Sequence, residues 1–300
     1  MSIIVTATTG QLGALVVDAL LARGVAPADV VATARDASKL AAFAGRGVRT
    51  AHLDYAKPET VTAAVGTGDV LVLISGDELE EHENVITAAK DAGAARIIYT
   101  STFRADTSWF VKAPKHRATE DFLTLSGVPF TILRNGWYTE NFASEVAKAQ
   151  ETGEIVASVG DGRVASASRS DFAEAAAVTT LDNSLAGQTF ELSGDHAWDY
   201  NELAQVLSGI TGRTVSYRNV TTEEYADLLR AAGIDDIIVA MLISVDVNVR
   251  NGGLAETPGD LSRLIGHPTV PLAEGLAATT KRFRGYPSVE WFRWCRSSVG

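Results

Sequence analysis

The chain is poor in the features that stabilise or localise proteins outside a reducing compartment. One cysteine, Cys295, stands among 300 residues, so no intrachain disulfide can form and a disulfide-stapled secreted fold is excluded. No apolar run reaches the roughly 20 residues that a membrane-spanning helix needs. The opening MSIIVTATTG carries neither a basic segment nor a long apolar one, so it does not read as a secretory leader. A cytoplasmic protein without a membrane partner is expected. Basic charge is in deficit: 26 Lys and Arg against 37 Asp and Glu leave a formal net charge of −11, which disfavours nucleic acid as a partner. The histidines (His52, His82, His116, His196 and His267) are scattered without metal-ligand spacing, and no metal is expected. A Gly-x-Ser-x-Gly elbow and a Gly-Lys-Ser/Thr phosphate loop are both missing. None of the seven tyrosines (55, 99, 138, 200, 217, 225 and 286) has lysine four residues on. A Tyr-x-x-x-Lys pair, whose lysine helps depress the tyrosine pKa so that it can shuttle a proton, is therefore lacking. Carbonyl–alcohol interconversion through that pair is not expected.

What is present is alternation. Short aliphatic or β-branched runs recur at Ile3–Thr6, Val30–Ala34, Val48–Leu53, Val70–Ile74, Ile97–Thr100 and Phe130–Leu133. Between them lie Ala/Leu-rich stretches with helical spacing, such as Leu12, Val16, Leu20 and Leu21, or Val85, Ile86, Ala89 and Ala92. Nearly continuous apolar strands alternating with helices predict a parallel sheet buried on both faces. Gly24, Gly66, Gly93 and Gly127 stand where the helices should stop. The fold class is α/β, a Rossmann-type doubly wound parallel sheet. Residues 1–134 form this nucleotide-binding domain. Residues 135–280 form a smaller α/β subdomain interleaved with it, since the rhythm breaks there without a Pro/Ser-rich linker. In that second part Phe190–Leu192 and Val215–Tyr217 read as strands. Asp171–Leu181, Tyr200–Ile210, Thr222–Ala232 and Leu261–Ile265 read as helices. The tail 281–300 mixes Arg282, Arg284, Arg293 and Arg296 with Trp291, Phe292 and Trp294. It reads as a terminal segment that packs on this or a neighbouring subunit or stays disordered, rather than as a nucleic-acid-binding element.

The first strand runs directly into Thr6-Ala7-Thr8-Thr9-Gly10-Gln11-Leu12-Gly13 and a helix. Small residues at 7, 10 and 13 let backbone approach a pyrophosphate at a helix N-terminus, and Gly13 lets that helix pack closely on the strand. Residues 7–13 are therefore expected to hold a dinucleotide. The second strand ends on Arg35 rather than the Asp or Glu that hydrogen-bonds a ribose 2′-hydroxyl. A guanidinium there can fork onto a 2′-phosphate, with Lys39 four residues on adding charge. NADPH is the expected cofactor, and Asp36 beside Arg35 is the residue that argues against it. Asp54, Ser75-Gly76, Thr100-Ser101 and Asn135-Gly136 end later strands and should line the same crevice. With no acid–base pair in view, hydride transfer from the cofactor to an electrophilic quinone is chemically coherent, because it needs mainly positioning and water exclusion. A protein that binds the cofactor and catalyses nothing is equally coherent at this point.

Several segments resemble the NmrA-like atypical short-chain dehydrogenases. The 6–13 turn is similar to that family's opening motif. The run Leu133-Arg134-Asn135-Gly136-Trp137-Tyr138-Thr139-Glu140-Asn141 resembles its bacterial NAD(P)H:quinone oxidoreductase branch. Tyr99-Thr100-Ser101, the Ala165–Asp171 run, the Glu191–Trp198 run and Leu264–Pro268 do likewise. The likeness covers roughly residues 1 to 280. It implies an NADPH-dependent, flavin-free and metal-free reductase of quinones. It implies cofactor contacts from Ala7, Thr8, Thr9, Gly10, Gln11, Leu12, Gly13, Arg35, Ser75, Gly76, Ser101, Asn135, Gly136, Trp137, Tyr138, Thr139, Glu140 and Arg169. Trp137 and Tyr138 would flank the nicotinamide or a flat acceptor, or else serve as core aromatics. His116 would donate to the acceptor oxygen, with Tyr138 as the other catalytic candidate; its structural alternative is a cap on the helix before Glu120. Arg169 alternatively pairs with Asp171 or the helix it precedes. The family's first turn glycine is Ala7 here, which is tolerated if φ stays negative and strained if it does not. The segment Trp109–Pro114 is expected to cover the acceptor. Two rivals stand beside the quinone reductase: a non-enzymatic NADP(H)-binding redox sensor, and a reductase of dyes or other aromatic acceptors. A homodimer is a possible assembly.

Overall fold

The computed structural model describes residues 1–282, so most of the basic-aromatic tail lies outside the described residues. The chain runs β1 (Ile3–Val5), α1 (Gln11–Ala22), β2 (Val30–Ala34), α2 (Ala41–Ala44), β3 (Arg49–His52), α3 (Pro58–Ala64), β4 (Val70–Leu73), α4 (Leu79–Asp91), β5 (Arg96–Thr102), α5 (Ala113–Ser126) and β6 (Phe130–Asn135). It continues with α6 (Ala143–Thr152), β7 (Glu154–Ala157), β8 (Arg163–Val164), α7 (Arg169–Leu181), β9 (Thr189–Leu192), β10 (Trp198–Asp199), α8 (Tyr200–Thr211), β11 (Ser216–Asn219), α9 (Thr222–Ala231), α10 (Asp236–Arg250), α11 (Asp260–Ile265) and α12 (Leu272–Arg282).

Seven strands hydrogen-bond in the order β3-β2-β1-β4-β5-β6-β9, every pair parallel. Strand β1 shows why both faces must be apolar. Ile3 and Val5 join a core with Val16, Leu20 and Phe172 from α1 and α7, while Ile4 joins the opposite core with Val85, Ile86 and Leu123 from α4 and α5. Side-chain alternation along a strand requires that split. Chain order reverses between β1 and β4, and the crevice at their carboxyl ends is where a dinucleotide is accommodated in this architecture. Gly24, Gly93 and Gly127 follow α1, α4 and α5 with left-handed φ of 87°, 80° and 79°, as helix-ending glycines should.

The second half is interleaved rather than appended. Phe190–Leu192, expected as a strand, is part of the seventh strand of the main sheet, β9, beside β6. Helix α7, opened by a reciprocal capping box between Ser168 and Asp171, returns to pack on α1. The remaining elements enclose their own core around Phe142, Trp198, Leu203 and Leu207, with the two-stranded pairs β7–β11 and β8–β10. Helices α6, α10 and α12 were not legible in the sequence. In α10 the run Ile237–Val249 is rich in β-branched residues, which by propensity favour a strand. Burial of Val239, Val245 and Val249 and the Asp235 cap on Ile237 N–H settle it as a helix. Among the described residues no helix is long and apolar enough to cross a membrane.

An ionic knot locks β6. Arg134, buried, donates from Nε and Nη2 to both oxygens of Glu120 on α5 (2.9 and 2.6 Å) and from Nη1 to Glu191 on β9 (2.8 Å). Arg134→Met leaves Glu120, Glu191 and the more exposed Asp106 (3.3 Å) without their cation; we expect a loss of roughly 3–5 kcal/mol in chemical denaturation. A loss below about 1 kcal/mol would mean that these carboxylates relax into water.

Candidate cofactor and acceptor site

The turn after β1 is tied to both neighbouring strands. Thr6 N–H donates to Val72 O (3.1 Å), and Thr8 N–H and Oγ1 both donate to Thr33 O (3.0 Å each). Thr8 is thus a buried anchor and not part of the crevice lining; Thr9 is exposed. Helix α1 is preceded by Gly10 at the N-cap position, which offers no side chain to cap the first turn. That leaves a helix N-terminus with its partial positive charge facing the crevice. Two backbone facts fix which residues the turn accepts. A Cβ on Gly13 would stand 2.5 Å from Ala7 O and 2.9 Å from Thr6 O. Ala7 itself has φ +50°, so the strained alternative holds: an alanine occupies a left-handed position, at a cost of roughly 1–2 kcal/mol. Ala7→Gly should raise stability by up to about 1 kcal/mol, part of the relief being offset by the freer unfolded chain. A destabilised variant in thermal melts would show that the turn carries no such strain.

The Ser75-Gly76 loop after β4 is held from three sides. Ser75 N–H donates to Thr100 Oγ1 (2.9 Å) and Gly76 N–H to His82 Nε2 (2.8 Å). His82 Nδ1 therefore carries the ring proton and donates to Thr119 Oγ1 (2.9 Å), which donates to Lys115 O (3.0 Å). Burial pushes the His82 pKa down to about 4, so the ring is neutral and can accept from Gly76. This clamp was missed in the sequence, where His82 is only one of several scattered histidines. Its signal is the spacing of six residues from a strand-end glycine into the next helix. Across the loop, Lys112 pairs with Asp77 (2.5 Å) and Lys115 with Glu78 (2.8 Å), joining the 109–114 segment to it.

At the end of β2 the side chain of Asp36 turns away from the crevice. It accepts from Ser38 N (3.1 Å) and Oγ (2.6 Å), capping a short 3-10 turn, and lies 3.9 Å from Lys39 Nζ. Those hydrogen bonds hold the Asp36 pKa down. Arg35 and Lys39 are exposed at the rim and do not line the crevice itself. The field of Arg35 reaches Tyr55 and Glu81, which places the guanidinium on the side of Gly76, whose added Cβ would touch the Tyr55 ring at 3.3 Å.

The other end of the cleft, about 310 Å³ in volume, is lined by Ser101, His116, Asn135, Gly136, Trp137, Tyr138 and Arg169. Asn135 donates from Nδ2 to the Tyr138 hydroxyl (3.3 Å). Its Oδ1 is buried without a hydrogen-bond partner. Such an orphan is rare in a native fold, and an unpaired acceptor on a cleft-lining residue suits the amide of a nicotinamide. Burial pushes the Tyr138 pKa up, so the phenol keeps its proton. Arg169 stacks its guanidinium on that ring, 4.6 Å from the centroid. The same arginine pairs with Glu140 (3.7 Å) and donates to Asn141 Oδ1 (2.7 Å), while the Asp171 carboxylate accepts from the Ser168 and Val270 N–H groups. Glu140 accepts from Arg169 N–H, and Thr139 is buried against Ser166 Oγ (2.9 Å). Neither Thr139 nor Glu140 lines the cleft; both shape it from behind.

His116 sits in the first turn of α5, its Nδ1 2.9 Å from the Tyr99 hydroxyl. Burial pushes its pKa down to about 3, so the ring is neutral near pH 7. The 109–114 segment contributes Phe110 and Lys112 to the lining, with Phe110 edge-on to Trp137 (6.2 Å); Trp109 points to solvent, 63% exposed. The structure thus brings Ala7, residues 10–13, Ser75-Gly76 and the 135–138 run to one cleft, but not Thr8 or Thr9. It adds a wall from α6, α8, α9 and α10 that sequence reasoning did not foresee.

Residues 8–183 match the NAD(P)H-binding family. Quinone oxidoreductase 2 of Escherichia coli is 39% identical over 92% of this chain and 97% of its own length. The Escherichia coli NADPH-dependent quinone oxidoreductase complexed with NADPH superposes with a TM-score of 0.89, over 92% of this chain and 99% of that one, at 39% identity. The Citrobacter sp. triphenylmethane reductase complexed with NADP(H) gives 0.88 at 34% identity, over 93% and 100%. An NmrA-like family domain-containing oxidoreductase from Aspergillus flavus is 27% identical over 90% of this chain and 92% of its own length. With a cradle at the β1–α1 turn, a crevice at the sheet's reversal point and these relatives across almost its whole described length, the chain belongs to the NAD(P)H-binding, NmrA-like family of oxidoreductases.

Proposed function

We propose that the protein uses NADPH to reduce a flat, electrophilic aromatic acceptor of the quinone class by direct hydride transfer, without flavin or metal. The observation that carries this reading is the pairing of an orphaned acceptor, Asn135 Oδ1, with neutral donors on the same wall and no Tyr–Lys pair. The bound cofactor supplies the hydride; a proton from a side chain or solvent completes the hydroquinone. Residues 7–13 hold the pyrophosphate, and Arg35 with Lys39 holds the 2′-phosphate. Asn135 orients the nicotinamide amide. Trp137, Tyr138 and Phe110 bound the acceptor and exclude water. The Tyr138 hydroxyl accepts from Asn135 and so keeps its proton for the nascent oxyanion. In the tautomer in which Tyr99 donates to Nδ1 of His116, the Nε2–H is that ring's remaining donor. Relatives named as a quinone oxidoreductase, an azoreductase from Xenophilus azovorans (26% identical over 94% of this chain) and a triphenylmethane reductase favour an aromatic acceptor. A dye reductase is accordingly the second reading. The same reading keeps the protein in the cytoplasm, where NADPH is abundant, and leaves a homodimer to be tested by sedimentation.

The test is NADPH oxidation with and without a simple benzoquinone, NADH in parallel and free-quinone controls subtracted. Saturable turnover, faster with NADPH, is expected. NADPH binding without turnover on quinones or dyes would transfer the assignment to a redox sensor. His116 adds a sharper expectation. A donor that is neutral above about pH 3 gives a kcat that stays flat from about pH 5 to 8, whereas an imidazolium acid of ordinary pKa would lose rate as pH rises through about 6.5. His116→Ala should lower kcat roughly ten- to a hundred-fold with the NADPH KM unchanged. A falling limb centred near pH 6.5 that vanishes in the variant would overturn the neutral-donor role.

A further inference from the structure

The wall that the C-terminal subdomain gives the cleft carries polar groups for which hydride transfer has no use. Glu145 and Lys148, paired at 2.9 Å on α6, line it together with Tyr200 of α8, Tyr225 of α9 and Asp246 of α10. Tyr200 is 7% exposed and Asp246 is 5% exposed. Asp246 uses a single oxygen, Oδ2, to accept from Ser158 N–H (2.7 Å) and Oγ (2.9 Å). The Tyr200 ring is immobilised by Phe142, Trp198 and Tyr217, with centroids at 6.2, 5.9 and 5.2 Å. Among the described residues the Tyr200 hydroxyl nonetheless has no hydrogen-bond partner, nor has that of Tyr225. The Tyr200 ring is buried, but its oxygen is not sealed off; it opens into the cleft, where water or a donor on a ligand can pair with it.

We propose that this cluster is a second polar subsite, which selects acceptors carrying a hydrogen-bond-donating arm, an ammonium above all, and rejects a carboxylate. The proposal rests on the reductase reading for the identity of the acceptor, but the subsite is defined by its own residues. The cleft-facing charges are two carboxylates, Glu145 and Asp246, against one ammonium, Lys148. Arg250, the other cation near Asp246, is held by Ser158 O (2.7 Å) and Thr222 Oγ1 (3.1 Å) and does not line the cleft. An incoming ammonium brings three donors. Asp246 and the phenol oxygens of Tyr200 and Tyr225 supply three acceptors, and the surrounding rings add cation–π attraction. Burial, reinforced by Glu145, pushes the Asp246 pKa up to about 6 despite Ser158 and Arg250. The groups facing it are Glu145 and Lys148 from α6, Tyr200 from α8, Tyr217 from β11, Tyr225 from α9 and Arg250 on its own helix. Ionised above about pH 6 and neutral below, Asp246 should make the preference for an ammonium fade as pH falls through that value.

The test uses probes that cannot be reduced, so it does not depend on turnover. 3-(1-Naphthyl)propylamine, 1-butylnaphthalene and 3-(1-naphthyl)propanoate are titrated into the full-length protein saturated with NADP⁺, and naphthalene anisotropy is read. The amine should bind roughly ten-fold tighter than the butyl probe, and the carboxylate weaker than either. Asp246→Asn, which can still accept from Ser158, should bring amine and butyl within about two-fold of each other. Tyr200→Phe should weaken the amine several-fold and leave the butyl probe within about two-fold. Equal binding of amine and butyl to the unaltered protein overturns the subsite. So does a parallel loss of both probes in Asp246→Asn and Tyr200→Phe, which would mark these residues as structural only. A protein that prefers the amine yet reduces no quinone would sink the reductase reading and leave the subsite standing.

Discussion

Gly13→Ala should abolish useful NADPH binding while leaving a folded protein. The new methyl would be 2.5 Å from Ala7 O and 2.9 Å from both Ala7 C and Thr6 O, all of them backbone atoms that no rotamer change can move. Either α1 withdraws from β1 or the turn opens. Both displace the α1 N-terminus, whose N–H groups and dipole are what the turn has to offer an anion. Overpacking of this kind costs about 1–3 kcal/mol in stability. The loss in cofactor affinity should be larger, on the order of a hundred-fold, since misplacing the whole helix start costs about 2.7 kcal/mol of binding at that ratio. Gly10→Ala is the internal control. Its Cβ would lie 3.1 Å from Ala7 O, a contact that a few tenths of an ångström relieve, so its affinity loss should be no more than about ten-fold. Calorimetric titration of NADPH with both variants checks the order. If the two lose equally, close packing of α1 on the turn is not what positions the phosphate.

The alternation of strands and helices was legible because the inner strands β1, β2, β4, β5 and β6 are buried on both faces and each helix needs one apolar stripe; composition and period carry that information directly. The 7–13 turn was legible for a related reason: closeness of backbone admits few residue types. Three features were not. The φ of Ala7 is set by hydrogen bonds to β2 and β4, which no local pattern reports. The His82 clamp on Gly76 depends on α4 carrying an imidazole back over the loop, a tertiary event. The acceptor wall from α6 and α10 was hidden because α10 reads as β-branched and is made helical by burial of Val239, Val245 and Val249. Of the residues expected at the cofactor, Thr8, Thr139 and Glu140 turned out to hold the scaffold around the cleft. A motif places such residues in the right neighbourhood, but only the packing shows which way each side chain faces.

Arg35→Asp should then reverse the choice of cofactor. In the present chain Asp36, the residue that could have bound a ribose 2′-hydroxyl, is occupied by Ser38 N–H and Oγ. Arg35 stands exposed at the end of β2 without a hydrogen bond or ion pair among the described residues. A guanidinium that gives a 2′-phosphate two charge-assisted hydrogen bonds contributes about 3 kcal/mol, and an aspartate in its place adds repulsion between like charges. NADPH should therefore lose at least roughly a hundred-fold in kcat/KM. NADH, which has no phosphate to repel and gains an acceptor for its 2′-hydroxyl, should change by less than about five-fold in either direction. Salt separates this from a general loss of fit. Arg35 and Lys39 are both solvent-exposed, so raising ionic strength should weaken NADPH in the unaltered protein and have little effect on NADH. Equal losses for the two cofactors in Arg35→Asp, or an NADPH affinity indifferent to salt, would remove Arg35 from the 2′-phosphate. Cofactor discrimination would then have to come from Lys39 or from the Tyr55–Gly76 side of the crevice.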